Sequence, residues 1–108
     1  MTRGAELERV TREGKRIRTE SLELRWMASP RGHPRVGFIV PKHSQTAVAR
    51  NRLKRRLREI ARREMLSVLG SVDVIIRARP VAYRLGFVDL RREMAGAAER
   101  LAVALGQR

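Results

Sequence analysis

Residues 35–64, RVGFIVPKHSQTAVARNRLKRRLREIARRE, pass from a strand period to a helix period around one proline. In the first part Val36, Phe38 and Val40 alternate with their neighbours, the two-residue repeat of a strand with one face buried. Ile39 makes the opposite face partly apolar, and Gly37 leaves room for a bulge or the close approach of another group. Past Pro41, Ser44 or Thr46 is suited to capping the orphan N–H groups of a helix start. Ala49, Leu53, Leu57, Ile60, Ala61, Glu64 and Val68 then recur at helical spacing, an apolar stripe broken only by Glu64. The spacing predicts a helix to about Leu69, stopped by Gly70.

Downstream, residues 72–80 read VDVIIRARP, with Val72, Val74, Ile76 and Ala78 on one face. Ile75 is apolar on the other face, which suits a central strand, and Pro80 ends it. Leu90, Met94, Ala97, Ala98, Leu101 and Leu105 predict a last helix over about 88–105. Upstream, Leu22, Leu24 and Trp26 alternate with Glu23, Arg25 and Met27, so 21–28 reads as a half-buried strand. The turn signal SPRGHP follows it at 29–34. Lys15 to Arg18 reads as a brief strand, and residues 5–13 as a short helix with Leu7 and Val10 on one side and Gly14 as its stop. The order is helix, two or three strands, helix, strand, helix. One sheet with helices packed on it, with 1–108 as a single domain, is the economical architecture.

Charge narrows the partner. The chain has 25 Lys plus Arg against 11 Asp plus Glu, a formal net of +14 in 108 residues. Self-repulsion of that size disfavours a compact state and is relieved by a polyanion, either nucleic acid or an anionic membrane surface. Most of the cations are Arg, whose planar fork suits phosphates and base stacking. Residues 50–63 hold Arg50, Arg52, Lys54, Arg55, Arg56, Arg58, Arg62 and Arg63 against Glu59 alone. Half the net charge of the protein thus lies in about an eighth of its length. On a helix, Arg50, Lys54, Arg58 and Arg62 form a ridge about 18 Å long at about 1.5 Å per residue. Like charges so spaced cost a helix a few tenths of a kcal/mol per pair, roughly, whereas solvated helix faces usually interleave Glu with Lys. A membrane-surface helix would need its apolar face for lipid, and here that face is needed for the core. Asn51 adds a donor and an acceptor for a base edge or a ribose hydroxyl. Charge alone does not separate RNA from DNA.

The motifs of protein-borne catalysis are absent. There is no Cys, and no HxxxH, GxGxxG, P-loop or paired-carboxylate pattern. His33 and His43 read as polar surface residues, Asp73 and Asp89 as turn or cap residues, and the Trp and Phe residues as core. No metal site or cofactor is expected on the protein itself. The N-terminus carries Glu6, Glu8 and Glu13 and lacks a signal-peptide core, and no apolar run reaches bilayer length, so a cytoplasmic protein is expected.

Residues 31–64 resemble the signature region of the bacterial ribonuclease P protein family. Arg35, Val36, Gly37, Phe38, Val40 and Lys42 match its strand. Ala47, Arg50, Asn51, Arg52, Leu53, Lys54, Arg55 and Arg58 match its Arg-Asn-Arg helix. DVIIRARP at 73–80 is similar to the family's last strand, and the resemblance runs from about Leu7 to Leu105. It implies an α/β sandwich of order α-β-β-β-α-β-α with an unusual left-handed β-α-β crossover. It also implies a protein subunit of a ribonucleoprotein that removes the 5′ leader of precursor tRNA, the RNA carrying out hydrolysis with Mg²⁺. The partners would be that catalytic RNA and the leader, with no membrane, no further protein, and one monomer in the complex.

Carried over by position, Lys42, Arg50, Asn51, Arg52, Lys54, Arg55, Arg58 and Arg62 would contact the catalytic RNA. Leu7, Thr11, Arg25 and Ile39 would line the leader cleft. The family usually has aromatic residues where Leu7, Thr11 and Arg25 stand, so stacking worth roughly 1–3 kcal/mol per base is lost, and leader contact is expected to weaken or shift onto Arg25 and Ile39. The basic stretch ahead of the first helix is shorter than is usual in the family. A small ribosomal-type RNA-binding protein or RNA chaperone, or a major-groove DNA-binding protein, would account for the basic helix without the resemblance.

Overall fold

The structure is a computed structural model that describes residues 3–30 and 32–106, with side chains from residue 8 onward. The chain forms α1 (Arg3–Glu13), β1 (Lys15–Arg18), β2 (Leu22–Ala28), β3 (Arg35–Ile39), α2 (Ala47–Ala61), β4 (Val72–Ala78) and α3 (Phe87–Ala104). This is the expected α-β-β-β-α-β-α order. The strands make one sheet in the order β1-β2-β4-β3. β2 pairs antiparallel with both β1 and β4, while β3 lies parallel to β4. No hairpin joins parallel neighbours, so the chain returns from β3 to β4 through α2.

The two-residue repeat of the strands decides what is buried. Leu22, Leu24 and Trp26 of β2, with Val72, Val74 and Ile76 of β4, join one cluster with Leu53, Leu57 and Ile60 of α2 and Leu90, Met94 and Leu101 of α3. Each such side chain contributes about 1.5–3 kcal/mol by leaving water. Trp26 is 7% exposed, which fixes the register of β2 as read and leaves Arg25 on the other face. Val10 and Ile75 are buried outside that cluster, on the far face of the sheet, where α1 packs against β2 and β4. Gly14 ends α1 where a Cβ would meet the Val10 carbonyl oxygen at 2.4 Å and the Trp26 carbonyl oxygen at 2.9 Å. Only glycine fits that approach.

Several boundaries differ from the sequence reading. β3 stops at Ile39, because Pro41 has no N–H to extend the ladder. Gly37 forms no bulge, and the register from Arg35 to Ile39 is unbroken against β4. Thr46 is the cap of α2, its hydroxyl accepting from the Ala49 N–H at 3.0 Å. The predicted single helix to Leu69 is divided: α2 ends at Ala61 and Arg62–Leu66 form a π-helical turn. The wider turn shifts the phase of the stripe. Met65 is buried, Val68 is 55% exposed, and Glu64 leaves the stripe to accept from Arg91 of α3 at 2.9 Å.

Candidate nucleic-acid interface

On α2, Leu53, Leu57, Ile60 and Ala61 are buried, and the cations occupy the rest of the circumference. Residues four apart advance by about 40° around a helix of 3.6 residues per turn, so the ridge winds as it climbs. Arg50 stands at the core margin and is half-buried. Its Nε donates to the Val40 carbonyl at 2.7 Å, tying α2 to the loop before it. Lys54 is half-buried, while Arg58 and Arg62 are exposed. Asn51, Arg52 and Arg55 are exposed as well. Among the described residues, Arg50, Arg52, Lys54, Arg55, Arg56 and Arg58 have no carboxylate within ion-pair distance.

Arg62 is different. It grips Glu59 with Nη2–Oε2 at 2.7 Å and Nε–Oε1 at 3.3 Å, and Arg63 reaches the same carboxylate at 2.9 Å. The hydrogen bond from Arg62 holds the Glu59 carboxyl below the usual carboxylate range, and the same bond raises Arg62. The ridge is therefore uncompensated from Arg50 to Arg58 and partly neutralised beyond. Lys42 lies past the end of β3, exposed in the loop that leads into α2. The loop is braced: Tyr83 Oη donates to the Pro41 carbonyl at 2.6 Å, and His43 Nε2 lies 3.2 Å from the Ala78 carbonyl oxygen. His43 was expected at the surface. It is half-buried, because its ring also meets Tyr83 edge-on at a centroid distance of 6.2 Å.

Lys54 and Arg58 border a cleft of about 520 Å³ floored by Gly37 of β3 and Ile75 of β4, with Val10 of α1 on its wall. Arg35 and Asp73 form its polar rim, paired through Nε–Oδ1 at 2.9 Å and Nη2–Oδ2 at 2.8 Å. Asp73, read as a turn or cap residue, is thus a cross-strand partner instead. Nothing in the sequence pointed to the pair, since it exists only through the parallel register of β3 on β4. Asp89 is exposed in the first turn of α3, where Gly86 occupies the cap position.

The four expected cleft positions are less uniform. The side chain of Leu7 lies outside the described residues, and Thr11 is exposed on α1. Arg25 is half-buried, its Nη1 3.5 Å from the Gly14 carbonyl and its Nε buried with no hydrogen-bond partner. Ile39 is half-buried on the same sheet face, two residues beyond Gly37. Thr11, Arg25 and Ile39 do not line the cavity. Val10, Gly37 and Ile75 line it in their place.

The family model described as Ribonuclease P matches residues 1–102. This chain belongs to the ribonuclease P protein family. It is 36% identical over 88 residues to the ribonuclease P protein component of Syntrophobacter fumaroxidans, covering 81% of this chain and 74% of the relative. With that of Clavibacter michiganensis it shares 34% identity over 101 residues, 93% of this chain and 89% of the relative. In fold it is similar to the RNase P protein from Thermotoga maritima, with a TM-score of 0.81 at 23% identity over 93% of this chain and 94% of that one. The Staphylococcus aureus RNase P protein superposes with a TM-score of 0.80 at 22% identity, covering 94% and 93% of the two chains. The chain is thus a subunit of ribonuclease P, the ribonucleoprotein enzyme that processes tRNA. No helix among the described residues is long and apolar enough to cross a membrane.

Proposed function

We propose that this ribonuclease P protein docks on the catalytic RNA through α2 and holds the 5′ leader of precursor tRNA over the adjoining sheet. The observation that carries this reading is the run of cations from Arg50 to Arg58, unmatched by carboxylates among the described residues, beside an open cleft. Unpaired arginines at that density have phosphates as their natural ligands. Lys42, Arg50, Asn51, Arg52, Lys54, Arg55, Arg58 and Arg62 are the contact residues of this reading, with Arg50 also positioning the loop. Thr11, Arg25 and Ile39, with Leu7 on the same helix as Thr11, border the leader path. The whole of 1–108 acts as one RNA-binding domain, one copy per complex, in the cytoplasm.

The cleft does not suit a protein-held Mg²⁺. Its one carboxylate, Asp73, is already taken up by Arg35 in a two-bond pair. Activation of water for phosphodiester hydrolysis is therefore assigned to the RNA, and this chain contributes positive potential and substrate contact. Reconstitution with a bacterial ribonuclease P RNA tests the reading. The protein should lower the Mg²⁺ concentration needed to cleave precursor tRNA. An unchanged Mg²⁺ requirement would turn the assignment towards a general RNA-binding protein or chaperone.

A further inference from the structure

In a chain of net +14, α3 is neutral, with Asp89, Glu93 and Glu99 against Arg91, Arg92 and Arg100. Three of these charges are taken up inside the fold. Glu93 accepts from Ser21 and Thr19, Arg91 donates to Glu64, and Arg100 donates to the Arg18 carbonyl at 3.4 Å. Arg92 and Glu99 are exposed, and among the described residues neither has an ion-pair partner.

The two unpaired charges belong to one stripe. At about 100° per residue, Val88, Arg92, Ala95, Gly96, Glu99 and Val103 fall within about 100° of the helix circumference. That arc lies opposite the buried Leu90, Met94 and Leu101, so it faces away from the sheet. Val88 and Val103 are 65% and 52% exposed. The halves of the stripe are complements about the midpoint between Ala95 and Gly96. At about 1.5 Å per residue, Val88 and Val103 stand about 11 Å to either side of it, and Arg92 and Glu99 about 5 Å. A second α3 laid antiparallel, with a two-fold axis at that midpoint, sets each Val88 on the Val103 of the other copy. It also sets each Arg92 on the other copy's Glu99. A parallel arrangement would put Arg92 on Arg92 instead.

Gly96 points the same way. Glycine is a poor helix former, and a Cβ at this position would meet nothing within 4 Å, so nothing inside the fold calls for it. At the crossing of two helices it lets the backbones approach closely. We propose that α3 is the contact surface of a weak symmetric homodimer, in which two copies of this chain pack antiparallel about the Ala95–Gly96 midpoint. A surface matched to itself through a two-fold axis is what a closed dimer requires. Two chains of net +14 repel, and a neutral helix lets them approach at low cost. The patch is about 22 Å long on a helix about 10 Å wide, which puts the dimer among weak, transient contacts. The cleft floored by Gly37 and Ile75 opens on the sheet's other face, so each copy keeps its own cleft uncovered. The contact needs no RNA and stands or falls separately from the proposed function.

Sedimentation equilibrium of the full chain without RNA, at physiological salt and from micromolar to millimolar protein, tests the dimer. The parent should pass from monomer to dimer across that range. Arg92→Glu sets acids against acids at the contact and Glu99→Arg sets cations against cations, so each variant should dimerise about tenfold more weakly. An equimolar mixture of these two variants should regain the parental affinity, because every pairing of Arg with Glu is restored between unlike chains. Gly96→Gln should weaken the dimer while melting no lower than the parent. A parent that stays monomeric to millimolar concentration overturns the dimer. Variants that associate as the parent does move the contact off α3, and a mixture no tighter than its components overturns the antiparallel arrangement.

Discussion

Arg50 has two duties that its place in the sequence does not separate. The run of cations presents it as the first of a ridge, yet the winding of the helix turns it towards the core margin, where it donates to Val40. Arg58, two turns on, is exposed and has no carboxylate partner among the described residues. The two should therefore respond differently to truncation. Arg50→Ala is expected to lose about 1–2 kcal/mol of stability as well as RNA affinity, because a charged donor is removed from a carbonyl. Arg58→Ala should melt as the parent does while binding RNA more weakly and with a flatter salt dependence. Thermal melting beside filter binding separates the two, and equal melting temperatures for both variants would remove Arg50 from its structural role. His43 and Asp73 teach the same lesson from the other side. Their partners lie 35 and 38 residues away in sequence, so both read as isolated, and the sheet supplies Ala78 and Arg35.

For α2 as an element, helical periodicity located the buried stripe but not its change of phase. Leu53, Leu57, Ile60 and Ala61 are buried as read, and the π turn then substitutes Met65 for Glu64 and Val68. A period fitted over the whole segment averages across such a turn, so the sequence pattern conceals it. The element's charge is also shaped by a single acid. Glu59 collects both Arg62 and Arg63, leaving the C-terminal part of the helix less positive than its composition suggests. Glu59→Gln should release them, tightening RNA binding and steepening its salt dependence; affinity equal to the parent's at low salt would show that neither arginine reaches the RNA. Protonation acts in the same direction. The Glu59 carboxyl is held low in the folded chain, so its pairing is complete above the ordinary carboxylate range and is lost as pH falls through the lowered value.

For the whole molecule, one carboxylate of the last helix gathers three hydrogen bonds from the turn of the first hairpin. Glu93 of α3 accepts from the Ser21 N–H at 2.8 Å, from the Ser21 hydroxyl at 2.7 Å and from the Thr19 hydroxyl. Glu93→Gln weakens three hydrogen bonds to a charged acceptor and leaves polar groups beside the buried Ser21 underpaired. A loss of about 2–3 kcal/mol is expected, with RNA affinity at temperatures well below melting unchanged. Calorimetric unfolding checks the first and RNA titration the second; a melting temperature like the parent's would make the network incidental. Local chemistry alone set the elements, the apolar faces and the cationic helix of this chain, because propensity, period and charge act between near neighbours and are written in consecutive residues. The order β1-β2-β4-β3, the pairing of Arg35 with Asp73 and the bracing of the loop before α2 belong to tertiary structure. Each depends on which strands lie side by side, and that is decided by burial of the whole core at once rather than by any segment of it.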